Sequence, residues 1–134
     1  MNFRLIAESV LREKAPGGKT TTIVTVLRCI LEMNCSVLLA TNTHSALDNV
    51  LTKLRKYTSD SKILRLGNSA SARDNVTDLT LESKLKCSEE DKYKAARNIL
   101  RQTPLVASTC HFIPRDVLFS WREFDYCIID EASM

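Results

Sequence analysis

The chain has 134 residues, 44% of them hydrophobic and 26% charged, with a formal net charge of +3. That length and balance fit at most one globular domain with a real core. No apolar run approaches the roughly 18 residues of a membrane span, and the first eleven residues lack the cleavage region of a secretory signal, so neither a membrane nor a secreted protein is expected.

Phe3, Ile6, Ala7, Val10 and Leu11 recur at helical spacing, and residues 2–13 read as a helix. A loop of Ala15-Pro16-Gly17-Gly18-Lys19-Thr20-Thr21-Thr22 follows, then a helix over 23–33 whose face is Ile23, Val26, Leu27, Ile30 and Leu31. Residues 36–40 read as a short buried strand and 41–44 as the turn after it. Thr43 or Ser45 can cap the next helix, which turns Ala46, Val50, Leu51 and Leu54 inward.

Residues 62–66 read as a strand stopped by Gly67. Residues 68–89 are polar and read as a surface loop with one short helix around 79–85. A helix over 90–102 cannot continue through Pro104, and 105–108 is the next strand. An irregular connection with a short helix over 112–122 leads to the apolar run 126–129, a strand buried on both faces. Short apolar strands alternating with helices predict an α/β fold, a parallel sheet with helices on both faces.

The five cysteines contain no C-x-x-C pair and mostly border apolar runs, which predicts buried reduced thiols and no metal. The mild positive charge permits contact with nucleic acid without arguing for it, because a basic footprint is usually stronger and clustered.

Two segments carry chemistry. Glycines, then Lys-Thr, then a helix start make a cradle for a phosphate chain: glycine lets backbone N–H groups approach the anion and the helix N-terminus adds positive field. Gly17, Gly18, Lys19, Thr20 and Thr21 are the candidates, with Lys19 neutralising the outer phosphates and Thr20 offering its hydroxyl to Mg²⁺. At the other end Asp130 and Glu131 follow a strand, where ligands sit in open α/β sheets. Asp130 can hold the metal and Glu131 can orient or deprotonate water for attack on a γ-phosphate. Together, in this order, the two segments point to ATP hydrolysis with Mg²⁺. The phosphate-loop pattern G-x-x-x-x-G-K-[ST] is nevertheless incomplete, since Glu13 stands where its first glycine belongs and no apolar strand is legible before it.

Thr43-His44-Ser45-Ala46-Leu47-Asp48-Asn49-Val50, Leu64-Arg65-Leu66-Gly67, Val106-Ala107-Ser108-Thr109-Cys110 and Phe124-Asp125-Tyr126-Cys127-Ile128-Ile129-Asp130-Glu131-Ala132-Ser133, with the Gly-Lys-Thr step, resemble the first motor lobe of a superfamily 1 (5′–3′, type B) helicase. The likeness is to the eukaryotic DNA replication ATP-dependent helicase/nuclease family, over about residues 17–134. It implies a P-loop NTPase with a RecA-like sheet, present as a single partial ATP-binding domain over 1–134 in which 1–14 is a divergent helix. It also implies an ATP-driven motor on single-stranded DNA (RNA remains open), with roles in DNA replication and repair and a nuclear location, cytoplasm or mitochondrion being the alternatives.

By that resemblance Thr43, His44 and Thr109 contact the nucleic-acid backbone, while Asp48 and Asn49 are helix-surface or loop-bracing residues. The family pattern has a loop one residue longer after a buried strand, and its second motor lobe and arginine finger lie beyond Met134. The chain alone is therefore expected not to unwind DNA. Two other functions fit the same residues: a non-hydrolysing module that docks on nucleic acid or a partner, and a nucleotide hydrolase with no nucleic-acid role.

Overall fold

The computed structural model describes residues 4–5, 16–67, 69–86, 91–112 and 122–130. Five parallel strands form one sheet: β1 (Arg4–Leu5), β2 (Val37–Thr41), β3 (Ile63–Arg65), β4 (Leu105–Thr109) and β5 (Tyr126–Asp130), in the spatial order β1-β5-β2-β4-β3. The helices are α1 (Pro16–Glu32), α2 (His44–Leu54), α3 (Leu81–Leu85) and α4 (Lys92–Gln102).

Alternation along β2 separates two cores. Leu39 and Val37 pack with Ile23, Leu27 and Ile30 of α1, Leu47, Leu51 and Leu54 of α2, and Ala107 and Ile128 of the neighbouring strands. Leu38 packs on the other face with Leu64, Val106, Cys127 and Leu100 of α4. Helices therefore cover both faces, as the sequence pattern predicts.

Register is set at the N-terminal ends of the strands. The Ser36 amide donates to Asp125 Oδ2 at 2.8 Å, the Asp125 amide donates to Ser36 Oγ at 2.9 Å, and the Tyr126 amide donates to Ser36 O at 3.1 Å. These bonds place Val37 opposite Tyr126, and four residues later Thr41 opposite Asp130.

Several expectations need correction. Arg4–Leu5 is a strand paired with Tyr126 and Cys127 and not part of a helix over 2–13, so β5 does have a neighbour preceding α1. Two residues carry no periodicity, and the sheet edge decides their conformation. The remainder of that expected helix lies outside the described residues, as does most of the expected 112–122 connection.

Helix α1 begins at Pro16, ahead of the apolar stripe, so Gly17, Gly18 and Lys19 occupy its first turn and not a loop. Proline is favoured there because its fixed φ suits the helix and its missing N–H is needed by no intrahelical bond. Thr41, Thr109 and Asp130 are the last residues of strands, one position beyond the strand ends that the sequence predicts. Within the polar stretch a 3₁₀ segment, Asp74–Leu79, buries Val76 and Leu79 in the main core, which a surface loop would not do.

The cysteines are not uniformly buried: Cys29 is exposed, Cys35 and Cys110 are half-buried, and Cys127 is buried. Burial pushes the Cys127 thiol up to about 11, with nearby Cys110 adding to the shift. The folded value lies above the unfolded one. The associated stability is thus complete below pH about 9 and is lost as pH climbs toward 11. Iodoacetamide at pH 8 should label Cys29 well before Cys127, read by mass spectrometry of the tryptic peptides; equal rates would mean that β5 opens readily.

Candidate nucleotide and nucleic-acid site

Parallel pairing aligns Thr109, Thr41 and Asp130 as one row across the C-terminal ends of β4, β2 and β5. Neighbours in such a row stand about 4.8 Å apart, so Asp130 and Thr109 are roughly 10 Å apart on either side of Thr41. All three are buried, Asp130 at 7% exposure. The Cys110 amide donates to Thr41 O at 2.7 Å, which ties the exit of β4 to the end of β2.

Helix α1 ends at Glu32 and four residues separate it from the start of β2 at Val37, so its C-terminus lies at the opposite, N-terminal edge of the sheet. At about 1.5 Å per residue, a 17-residue helix packed along the sheet returns its N-terminus to the Thr41–Asp130 edge. The N–H groups of Gly17 and Gly18, in its first turn, have no intrahelical acceptor, and the helix dipole adds positive field there. Thr20 is half-buried and Thr21 exposed on the same end of α1. Glu131 lies outside the described residues.

The second helix start at this edge is built by two threonines. Thr41 Oγ1 donates to Thr43 O at 2.9 Å, and Thr43 Oγ1 accepts from the Ala46 amide at 3.1 Å, which makes Thr43 the N-cap of α2. The cap uses an acceptor lone pair of the Thr43 hydroxyl and leaves its O–H available as a donor. His44 follows as the first residue of α2 and is exposed.

A buried ion pair lies beneath His44. Arg65 on β3 is 0% exposed and its Nε donates to Oδ1 of Asp48, itself 1% exposed, at 2.8 Å. Arg65 Nη2 lies 3.3 Å from His44 Nδ1. Asp48 Oδ2 accepts the Arg73 amide at 3.1 Å, and the Arg73 guanidinium donates to Asn49 Oδ1 at 2.6 Å and Ser45 Oγ at 2.7 Å. Asp48 and Asn49 thus brace the turn, Asp48 from within the fold and not on the helix surface. Sequence reasoning did not find Arg65 or Arg73 as part of this site. The available signal was a lone charge inside the run Ile63-Leu64-Arg65-Leu66, which a buried strand tolerates only with a partner.

Thr20, near the start of α1, and Asp130, at the end of β5, are the two described side chains expected to hold Mg²⁺. Among the described residues no group of three or more His, Cys, Asp or Glu could hold an ion. One carboxylate at a strand end and a hydroxyl at a helix start match the usual Mg²⁺ arrangement, in which phosphates and water complete the shell. No helix among the described residues is long and apolar enough to cross a membrane.

The AAA domain family matches residues 9–96 and 86–134 of the chain. A DNA replication ATP-dependent helicase/nuclease DNA2 of Xenopus laevis is 40% identical over 119 residues, 88% of this chain and 11% of that protein. The DNA2 of Saccharomyces cerevisiae is 37% identical over 121 residues, 88% of this chain and 8% of that protein. The helicase/nuclease JHS1 of Arabidopsis thaliana is 40% identical over 118 residues, 87% of this chain and 8% of that protein. The chain therefore spans about a tenth of the length of these curated relatives.

Proposed function

This chain belongs to the AAA domain family, and we propose that it acts as the nucleotide-binding, DNA-contacting lobe of an ATP-dependent helicase. Its helicase-type function is supported by the relatives, whose names describe ATP-dependent helicase/nucleases of DNA replication. The observation that carries the nucleotide reading is the shared sheet edge: the start of α1 and the strand-end carboxylate Asp130 lie where a parallel sheet takes its ligand.

The N–H groups at the start of α1 and the Lys19 ammonium would bind the phosphates, and the Thr20 hydroxyl with Asp130 would hold Mg²⁺. Thr21 would support the same turn. Bound Mg·ATP supplies the cleavable phosphoanhydride and the metal charge that offsets developing negative charge. Glu131, next in the chain after Asp130, would take the proton of the attacking water. Thr43 O–H and the His44 ring would donate to phosphates of single-stranded DNA at the neighbouring helix start, and Thr109 would offer a further hydroxyl. Such contacts ignore base identity, as stepping along any sequence requires. A nuclear location follows from a role in DNA replication, and unwinding would require a second motor lobe closing on this edge.

Titration of a fluorescent ATP analogue with Mg²⁺ tests the reading. Wild type is expected to bind, and Lys19→Ala to bind about tenfold to a hundredfold more weakly, the equivalent of one charged hydrogen bond. Equal and negligible binding by both would refute nucleotide use. It would favour the non-hydrolysing docking module instead, a reading that the Glu13 departure from the phosphate-loop pattern independently supports. Photocrosslinking of oligo-dT to the Thr43–His44 segment separates both from a hydrolase with no nucleic-acid role.

A further inference from the structure

Buried ion pairs seldom add stability, since two charges taken out of water cost about as much as their attraction returns. The Arg65–Asp48 pair therefore calls for another reason, and its geometry supplies one. A guanidinium has five N–H donors, no acceptor, and does not lose its proton in proteins. Its Nη2 faces His44 Nδ1 at 3.3 Å, so Nδ1 must be the accepting atom. The proton of the neutral ring then sits on Nε2, at the other edge of an exposed side chain.

We propose that Arg65, anchored by Asp48, is a positioning residue that fixes His44 as its Nε2–H tautomer and holds that N–H ready to donate to a nucleic-acid phosphate. The proposal rests on the reading of Thr43 and His44 as a nucleic-acid contact. Three features make the device rigid. The carboxylate that anchors Arg65 is held from a second side by the Arg73 amide. Asn49 and Ser45, on the same turn of α2, are tied by the Arg73 side chain. Thr43, the preceding residue, is held as the helix cap. A donor ordered before binding loses less freedom on binding. Lysine in place of Arg65 would be a point charge without the planar fork needed to serve Asp48 and His44 together.

The test reads the tautomer directly. In the ¹⁵N-labelled chain, long-range ¹⁵N–¹H correlation should show His44 with an unprotonated Nδ1 and a protonated Nε2. Because Arg65→Met alone leaves a buried carboxylate unpaired, the comparison is the double variant Arg65→Met/Asp48→Leu, an apolar exchange of the kind that buried pairs usually tolerate. In that variant His44 should show a mixture of tautomers, and fluorescein-labelled oligo-dT should bind about three- to tenfold more weakly, a fraction of the loss of a full charged hydrogen bond. His44→Gln, whose amide N–H reaches the Nε2 position, should retain more affinity than His44→Asn.

A wild-type ring protonated on Nδ1, or already a mixture, overturns the proposal while leaving the nucleic-acid reading intact if His44→Ala still weakens oligo-dT binding. Wild-type affinity in the folded double variant, with His44→Ala weakened, also overturns it. If the tautomer is as stated but His44→Ala binds oligo-dT like wild type, the nucleic-acid reading fails and the proposal falls with it.

Discussion

Asp48→Asn is expected to lower the unfolding free energy by about 3–5 kcal/mol, read from urea denaturation with an unchanged m value. The substitution preserves volume, so no cavity contributes. Its cost comes from charge: Arg65 stays fully buried and cannot shed its proton, while the group opposite its Nε becomes neutral. The Asn amide also turns a donor toward either Arg65 or the Arg73 amide, both of which are donors. Against a usual total of about 5–15 kcal/mol, that removes a large share of the stability.

Two controls isolate the cause. Arg65→Met/Asp48→Leu should lose far less than the single variant, and the difference in a double-mutant cycle measures the stranded charge. Asp60→Asn removes one arm of the Arg55–Asp60–Asp78 cluster, where Asp60 is 51% and Asp78 60% exposed. There the expected cost is about 0–1 kcal/mol, because water screens the pair and resolvates the remaining charge. Asp48→Asn costing no more than Asp60→Asn would show that the Arg65 guanidinium finds water or another partner.

Leu39→Ala should destabilise by about 2–5 kcal/mol, the range for truncating a fully buried leucine. Leu39 is at the centre of the middle strand, in register with Ala107 on one side and Ile128 on the other, and is 0% exposed. The adjacent Ala107 has no side chain long enough to fill the hole. Relaxation would have to come from Leu27 or Leu51, which are themselves held by their own helices. The same strand ends two residues later at Thr41, which ties the start of α2. Nucleotide and oligo-dT binding should therefore weaken only as far as the folded fraction falls. Thermal melting with and without ligand separates the two effects, and a change in m value would point to a loosened native state instead.

The local patterns were legible because each depends on neighbours in the chain. Apolar stripes at helical spacing locate most of the buried faces of α1 and α2, although Val24 and Leu47 join them and Val26 and Ala46 are only half-buried. Short apolar runs locate β2, β4 and β5 to within a residue, and of the two caps that the sequence offers, Thr43 and Ser45, the structure uses Thr43. The alternation of the two predicts a parallel sheet, since parallel strands need a crossover between them.

What lay beyond the sequence depends on groups far apart along the chain. The order β1-β5-β2-β4-β3 places the last strand in the interior of the sheet, and that brings Asp130 beside Thr41. Arg4–Leu5 becomes a strand only because the edge of β5 offers it backbone partners. Arg65 is a lone charge in an apolar strand until Asp48, 17 positions earlier, is found against it. A periodic pattern determines which face of an element is buried, because burial of apolar area follows from composition at fixed spacing. Which face meets which, and whether a buried charge has a counter-charge, was decided only by the packed structure, because those interactions act through space and leave no period behind.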